Sequence, residues 1–290
     1  MEMNKIRALI DLLDDPDSEI FETVKNQLLK QGLSILPELE KSWGNSLNID
    51  LQNRIENLIQ KIQFQDTTAN LKKWSEKHND DILNGAFFIA KYQYPNLEYD
   101  KILKLIELIK QDVWLELNDN LTALEKIKIL NHIFYDIYHF TSNTSNLYAP
   151  QNSYINIVLD TKKGNAVSLA IIYMYIAQSL GLPIYGVNLP PNFILAYIDK
   201  PIYSKALDIN NEKNILFYIN PFNKGAVFGE KEIDFFIKQK KIEPQKQYYY
   251  PCDNRITINR LINELIVCYD KLAYPNKIED LKLFQNIIKG

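Results

Sequence analysis

The chain is poor in the residues that most readily reveal chemistry. Only two of its 290 residues are cysteine, Cys252 and Cys268, too few for a disulfide framework and without the CxxC spacing of a zinc site. They read as ordinary thiols in or beside a helical core. Histidine occurs three times, as His78, His132 and His139, so a Cys-His pair has to join the tail of the chain to its front. An excess of one charge sign is lacking as well. A formal net charge of −3 predicts no strong field for nucleic acid or anionic lipid, and neither is expected as a partner. The longest apolar run, Ala166 to Ala177, falls short of the roughly 20 residues that cross a bilayer. The opening MEMNKIRALIDLLDDPD turns charged and amphipathic at once, unlike a secretory signal. A soluble, cytoplasmic protein is expected. What is present is a hydrophobic content of 46%, ample for a real core.

Strand signals are scarce over the first 140 residues. IRALIDLL, DDPDSE, IFETVKNQLLKQG and ILPELEKSW place apolar residues at helical spacing around polar turns, with Asp17 or Ser18 set to cap and Gly32 set to stop. Two short helices around a D-P-D turn resemble a HEAT-type repeat unit. LQNRIENLIQKIQFQ continues the pattern, and further helices are predicted over 71–77, 81–91, 99–117 and 121–139. Residues 141–156, rich in Ser, Thr and Asn, read as a loop and as the boundary of the helical front. Beyond the apolar helix at 166–180 the period changes. IYGVNL, FILAYID and NILFYINPF are strand candidates, which suggests an α+β core with a buried central helix on an antiparallel sheet. After Pro251 two helices flank AYPN as an αα-hairpin resembling one tetratricopeptide-type motif. The expected divisions are a helical front over 1–140, a core over 141–250 and a helical tail over 251–290.

Four blocks, NSYIN, KKGNAVSLAIIYMYIAQSLGLPIYGVNLP, NFILAYID and INPFNKG, resemble in their order the SirB-type branch of the transglutaminase-like superfamily. The helical front (LLDDPDSEIFE, AKYQYPNLE, DVWLELNDNLTALEKI) and the tail share the resemblance. It implies a papain-like arrangement: a cysteine at the start of the buried helix, a histidine on the following strand and an aspartate on the next. A helix N-terminus lowers the thiol pKa, the imidazole takes the proton and the carboxylate orients the imidazole. Carried over residue by residue, these positions are Ala166, Asn192 and Asn220. In the SirB-type branch the cysteine is generally absent, while the histidine and aspartate often remain; this sequence departs at those two positions as well. The resemblance therefore implies a non-catalytic, degenerate cleft with a protein- or peptide-binding, scaffolding role and no cofactor. The alternative is a hydrolase or acyl transferase using non-standard residues.

Three other groups of residues compete for chemistry. Ser168 lies two positions after Ala166, about 200° around the helix, where a serine of a first turn bonds the backbone. His132, Asp136 and His139 stand at i, i+4 and i+7 and predict one helical face suited to zinc or iron. Glu125 and Lys128 share that stripe, so a solvated face is the stronger reading. KQKKIEPQK at 238–246, followed by Tyr248 to Tyr250, reads as a solvated basic loop tied to the core by tyrosine rather than as a nucleic-acid patch.

Overall fold

The computed structural model describes residues 3–199 and 214–289. The chain forms two compact units, Met1–Lys72 and Lys73–Gly290. The sequence divisions near 140 and 250 both fall inside the second.

In the first unit, α1 (Met3–Asp11), α2 (Ser18–Leu29) and α3 (Leu36–Asn45) are followed by the long α4 (Ile49–Lys77), whose last five residues are counted with the second unit. Asp17 is the N-cap of α2, its carboxylate accepting from the backbone of Glu19 and Ile20. Gly32 follows α2 at φ +62, a conformation that ends a helix. One apolar stripe from each helix builds the core: Ile6 and Ile10, Val24 and Leu28, Leu36 and Leu39, Ile55 and Leu58. Arg54 reaches from α4 to donate to the carbonyls of Leu13 and Asp15, at 2.7 and 2.9 Å. Its guanidinium lies 4.6 Å from the Phe21 ring centroid. The sequence pattern predicts separate helices here, over about 51–65 and 71–77; they are one. The intervening DTTAN is polar but holds neither proline nor glycine, so nothing interrupts the backbone ladder.

The second unit is built around α9. Its elements are α5 (Ile82–Gln93), α6 (Tyr99–Glu116), α7 (Ala123–Asn131), β1 (Thr141–Ser142), α8 (Ile155–Thr161), β2 (Lys163–Gly164), α9 (Ala166–Ser179), β3 (Ile184–Val187), β4 (Ile194–Ile198), β5 (Ile215–Asn220), β6 (Ala226–Phe228), α10 (Glu230–Lys240), α11 (Asn254–Lys271) and α12 (Pro275–Lys289). β1 and β2 pair in parallel, and β3-β4-β5-β6 form an antiparallel sheet in sequence order. A helix apolar on every side must be buried on every side, and α9 is: α5, α6, α8 and α11 pack on it together with β3 and β4. The other face of the sheet region holds a second cluster, in which Ile194, Ala196 and Tyr218 meet Ile233 and Ile237 of α10. α11 and α12 form the hairpin expected at the tail. The fold is mostly helical with one small antiparallel sheet, an α+β arrangement. Among the described residues no helix is long and apolar enough to cross a membrane.

Three local expectations need correction. The helix expected over 121–139 stops as an α-helix at Asn131; a π-helical turn occupies His132–Ile137, and His139 has φ +59. The stretch 141–156 is not one loop: it contains β1, a 3-10 turn at Pro150–Asn152 and the start of α8. The basic stretch 238–246 begins as the last turn of α10, where Lys238 and Lys240 face the negative end of the helix. β6 is a three-residue strand too short to show a pattern.

Candidate functional site

The N-terminal turn of α9 is held by a closed set of side-chain hydrogen bonds. Asn165 caps the helix, its Oδ1 accepting from the backbone N–H of Val167 and Ser168 at 3.1 and 2.9 Å. Its Nδ2 donates to Ser153 Oγ at 2.8 Å. Ser168 Oγ donates to the Asn152 carbonyl at 2.6 Å and accepts from the Asn165 N–H at 3.0 Å, completing a capping box. Ser168 is buried, and its proton is committed to a carbonyl rather than to a base. Asn152 is tied in turn, its Nδ2 donating to the Asn146 carbonyl at 2.7 Å.

Ala166 is the first residue of α9 and half-buried; a methyl group stands where the resemblance places a nucleophile. Asn192 is exposed, in the connection between β3 and β4 just after the cis Pro190–Pro191 bond. Asn220 closes β5 and caps the 3-10 turn Pro221–Asn223, its Oδ1 accepting from Phe222 N–H at 3.1 Å and Asn223 N–H at 3.2 Å. That turn packs against both α9 and β1. Tyr135 donates to the Pro221 carbonyl at 3.0 Å. Asn131 bridges α9 and the same turn: Tyr173 OH donates to its Oδ1 and its Nδ2 donates to the Gly225 carbonyl, each at 2.8 Å. Burial pushes the phenols of Tyr135 and Tyr173 well above their ordinary range, so both remain neutral donors. The sequence gives no sign of this bracket, which joins Asn131 and Tyr135 to Tyr173 and to the turn at 221–225, both distant along the chain.

The other candidates are dispersed. His132 Nδ1 lies 3.2 Å from Asp136 Oδ2, with both side chains exposed. His139, at positive φ beyond the π-helical turn, does not complete a triad: among the described residues no group of three or more His, Cys, Asp or Glu is placed to hold a metal ion. The inserted residue of the π turn shifts the register that a 3.6-residue period would have kept. Cys252 and Cys268 are free thiols, the first beside Thr257 Oγ1 at 3.7 Å and the second buried in α11. Burial raises both pKa values to about 11, the opposite of an activated nucleophile. Tyr248 is buried, and the Tyr249 hydroxyl donates to Asp234 at 2.7 Å, so tyrosines anchor the end of the basic stretch.

Residues 100–263 match the family profile described as the transglutaminase-like superfamily. A UPF0162 protein of Xylella fastidiosa is 28% identical over 152 residues, which cover 52% of this chain and 50% of that protein. The UPF0162 protein of Vibrio cholerae is 24% identical over 210 residues, 70% of this chain and 73% of the other. F-box only protein 21 of Mus musculus is 31% identical over 110 residues, 38% of this chain and 17% of that protein. The Xylella match thus spans about half of that relative's length. No solved structure matches.

Proposed function

The chain belongs to the transglutaminase-like superfamily, and from that premise we propose that it is a non-catalytic member, of the SirB-type branch, that acts by binding a protein or peptide partner. One observation carries the reading: no acid, base or nucleophile stands at the three role positions, and the polar side chains of Ser168 and Asn220 are used to build structure. Ala166 has no heteroatom, Ser168 is closed into the cap of α9, and Asn220 caps the turn after β5. An amide at Asn192 cannot shuttle a proton near neutral pH. The HEAT-like character of the front and the tetratricopeptide-like character of the tail belong to the same proposal, since helical repeats serve as binding surfaces.

A binding face is supported by α6. Leu105, Leu108, Trp114 and Leu115 are exposed there, and Leu108 and Trp114 line a shallow depression of about 820 Å³. Exposed apolar groups gathered on one element are unusual for a surface without a partner. Two measurements test the proposal together. Treatment of the native protein with a fluorophosphonate and with a thiol-reactive acylating probe is expected to give no labelling that heat denaturation abolishes. Capture of a defined partner by the intact chain, lost in Trp114→Ala with an unchanged melting temperature, is expected alongside it. Heat-sensitive labelling of Ser168, Cys252 or Cys268 overturns the non-catalytic reading; capture that survives Trp114→Ala removes α6 from it.

A further inference from the structure

Away from α9, the second unit contains a cleft of about 480 Å³ whose wall is dominated by tyrosine: Tyr94, Tyr148, Tyr154, Tyr269 and Tyr274, with Lys277 beside them. The volume lies in the range of small-molecule sites. Three separate stretches supply these residues, namely the end of α5, the segment before α8 and the α11–α12 hairpin.

The rings divide into floor and rim. Tyr154 and Tyr269 are buried, and their hydroxyls bond one another at 2.8 Å. Tyr269 OH also donates to Gln93 Oε1 at 3.4 Å, which leaves Tyr154 as the donor to Tyr269, so both hydroxyl protons are engaged within the wall. Edge-to-face pairs fix its rings: Tyr94 on Tyr154 at 5.4 Å and 86°, Tyr269 on Tyr274 at 6.0 Å and 86°. Tyr148 and Tyr274 stand exposed at the rim.

Charge in the cleft runs against the rest of the chain. The protein is net acidic, yet no aspartate or glutamate is among the residues lining this cleft, and its one charged lining group is the half-buried Lys277 ammonium. That ammonium sits 4.2 Å from the Tyr92 ring centroid, and Lys271 Nζ sits 4.2 Å from the ring of Tyr148 at the rim. Burial lowers the Lys277 pKa, and nearby Asp280 opposes that shift. Tyrosine rings with a cation at one side, among the amides of Gln93, Asn146 and Gln151, select a flat ligand with an anion at one side.

We propose that this cleft is a binding site for a small planar aromatic ligand bearing a single negative group, such as an aromatic carboxylate. The site is separate from the N-terminal turn of α9 and stands whether or not the chain is catalytic. The test uses two probes of one shape, 2-naphthoate and 2-naphthamide, titrated into the full chain by ligand-observed NMR. Saturable one-to-one binding of the naphthoate, about 10-fold tighter than the amide, is expected for a charge-assisted contact. Lys277→Gln is expected to bring the two affinities together. Tyr274→Ala and Tyr148→Ala, both at exposed rings, are expected to weaken both probes while leaving the melting temperature in place; Trp114→Ala leaves them unchanged. Failure of the naphthoate to saturate, equal affinities in the unaltered chain, or binding indifferent to both tyrosine substitutions overturns the assignment.

Discussion

The two thiols show how environment decides what a reactive group does. A nucleophilic cysteine needs a positive neighbour or a helix N-terminus to hold its thiolate. At Cys252 and Cys268 burial works the other way and raises each pKa to about 11. An unfolded cysteine titrates near 8.5. Between these values the native state holds protons that the unfolded state has released. Stability from both groups is therefore complete below about pH 8.5 and is lost as pH rises toward 11. Thermal melts from pH 8 to 11 are expected to show a smaller decline in a Cys252→Ala, Cys268→Ala double variant than in the unaltered chain, the difference isolating the cysteines from the many tyrosines. A disulfide reagent at pH 7.5 is expected to react far more slowly with native than with unfolded protein. Fast native labelling at that pH contradicts the burial argument.

Among the elements, the turn after β5 shows how a backbone position serves α9. Gly225 has φ +68, and a Cβ added there would lie 2.0 Å from Asn131 Oδ1, the atom that accepts the Tyr173 hydroxyl. Gly225→Ala forces a left-handed alanine and displaces a hydrogen-bonded bridge, so a loss of about 2–4 kcal/mol is expected in urea unfolding. Gly44→Ala is the contrast: its site in α3 has nothing within 4 Å, and a gain of about 0.5–1 kcal/mol is expected. An equal response from both contradicts the steric account. The same elements show what a sequence makes legible. α6 and α9 were readable because apolar spacing and length carry them, and β3, β4 and β5 because apolar runs lie between turn residues. The π turn at His132 was not, since one extra residue per turn leaves no mark on a periodic pattern. The resemblance assigns roles to Ala166, Asn192 and Asn220, whereas the contacts of Asn152 with Ser168 and of Asn131 with Gly225 exist only once the fold has joined distant segments. The tyrosine cleft is of the second kind.

Among the described residues, each of the two units has buried apolar residues of its own. Ile6, Leu28, Ile35 and Ile55 belong to the first unit, and the α9 residues Leu169, Ile172 and Ile176 to the second. The proposed α6 face and the tyrosine cleft both belong to the second, which also holds the whole of the matched family region. Compact units with their own cores open with their own free energies. A cavity in one core should therefore raise amide exchange in that unit alone. Leu28→Ala and Leu169→Ala each delete a fully buried side chain, at a cost of about 2–5 kcal/mol. Hydrogen-exchange mass spectrometry is expected to show Leu28→Ala speeding exchange in α1, α2 and α3 while α9 and β4 keep their protection, and Leu169→Ala doing the reverse. Either substitution loosening both sets equally would show that the two cores unfold as one cooperative body. In that case a change in the first unit would reach every surface proposed for the second through stability alone, and partner capture would have to be compared at matched folded fractions.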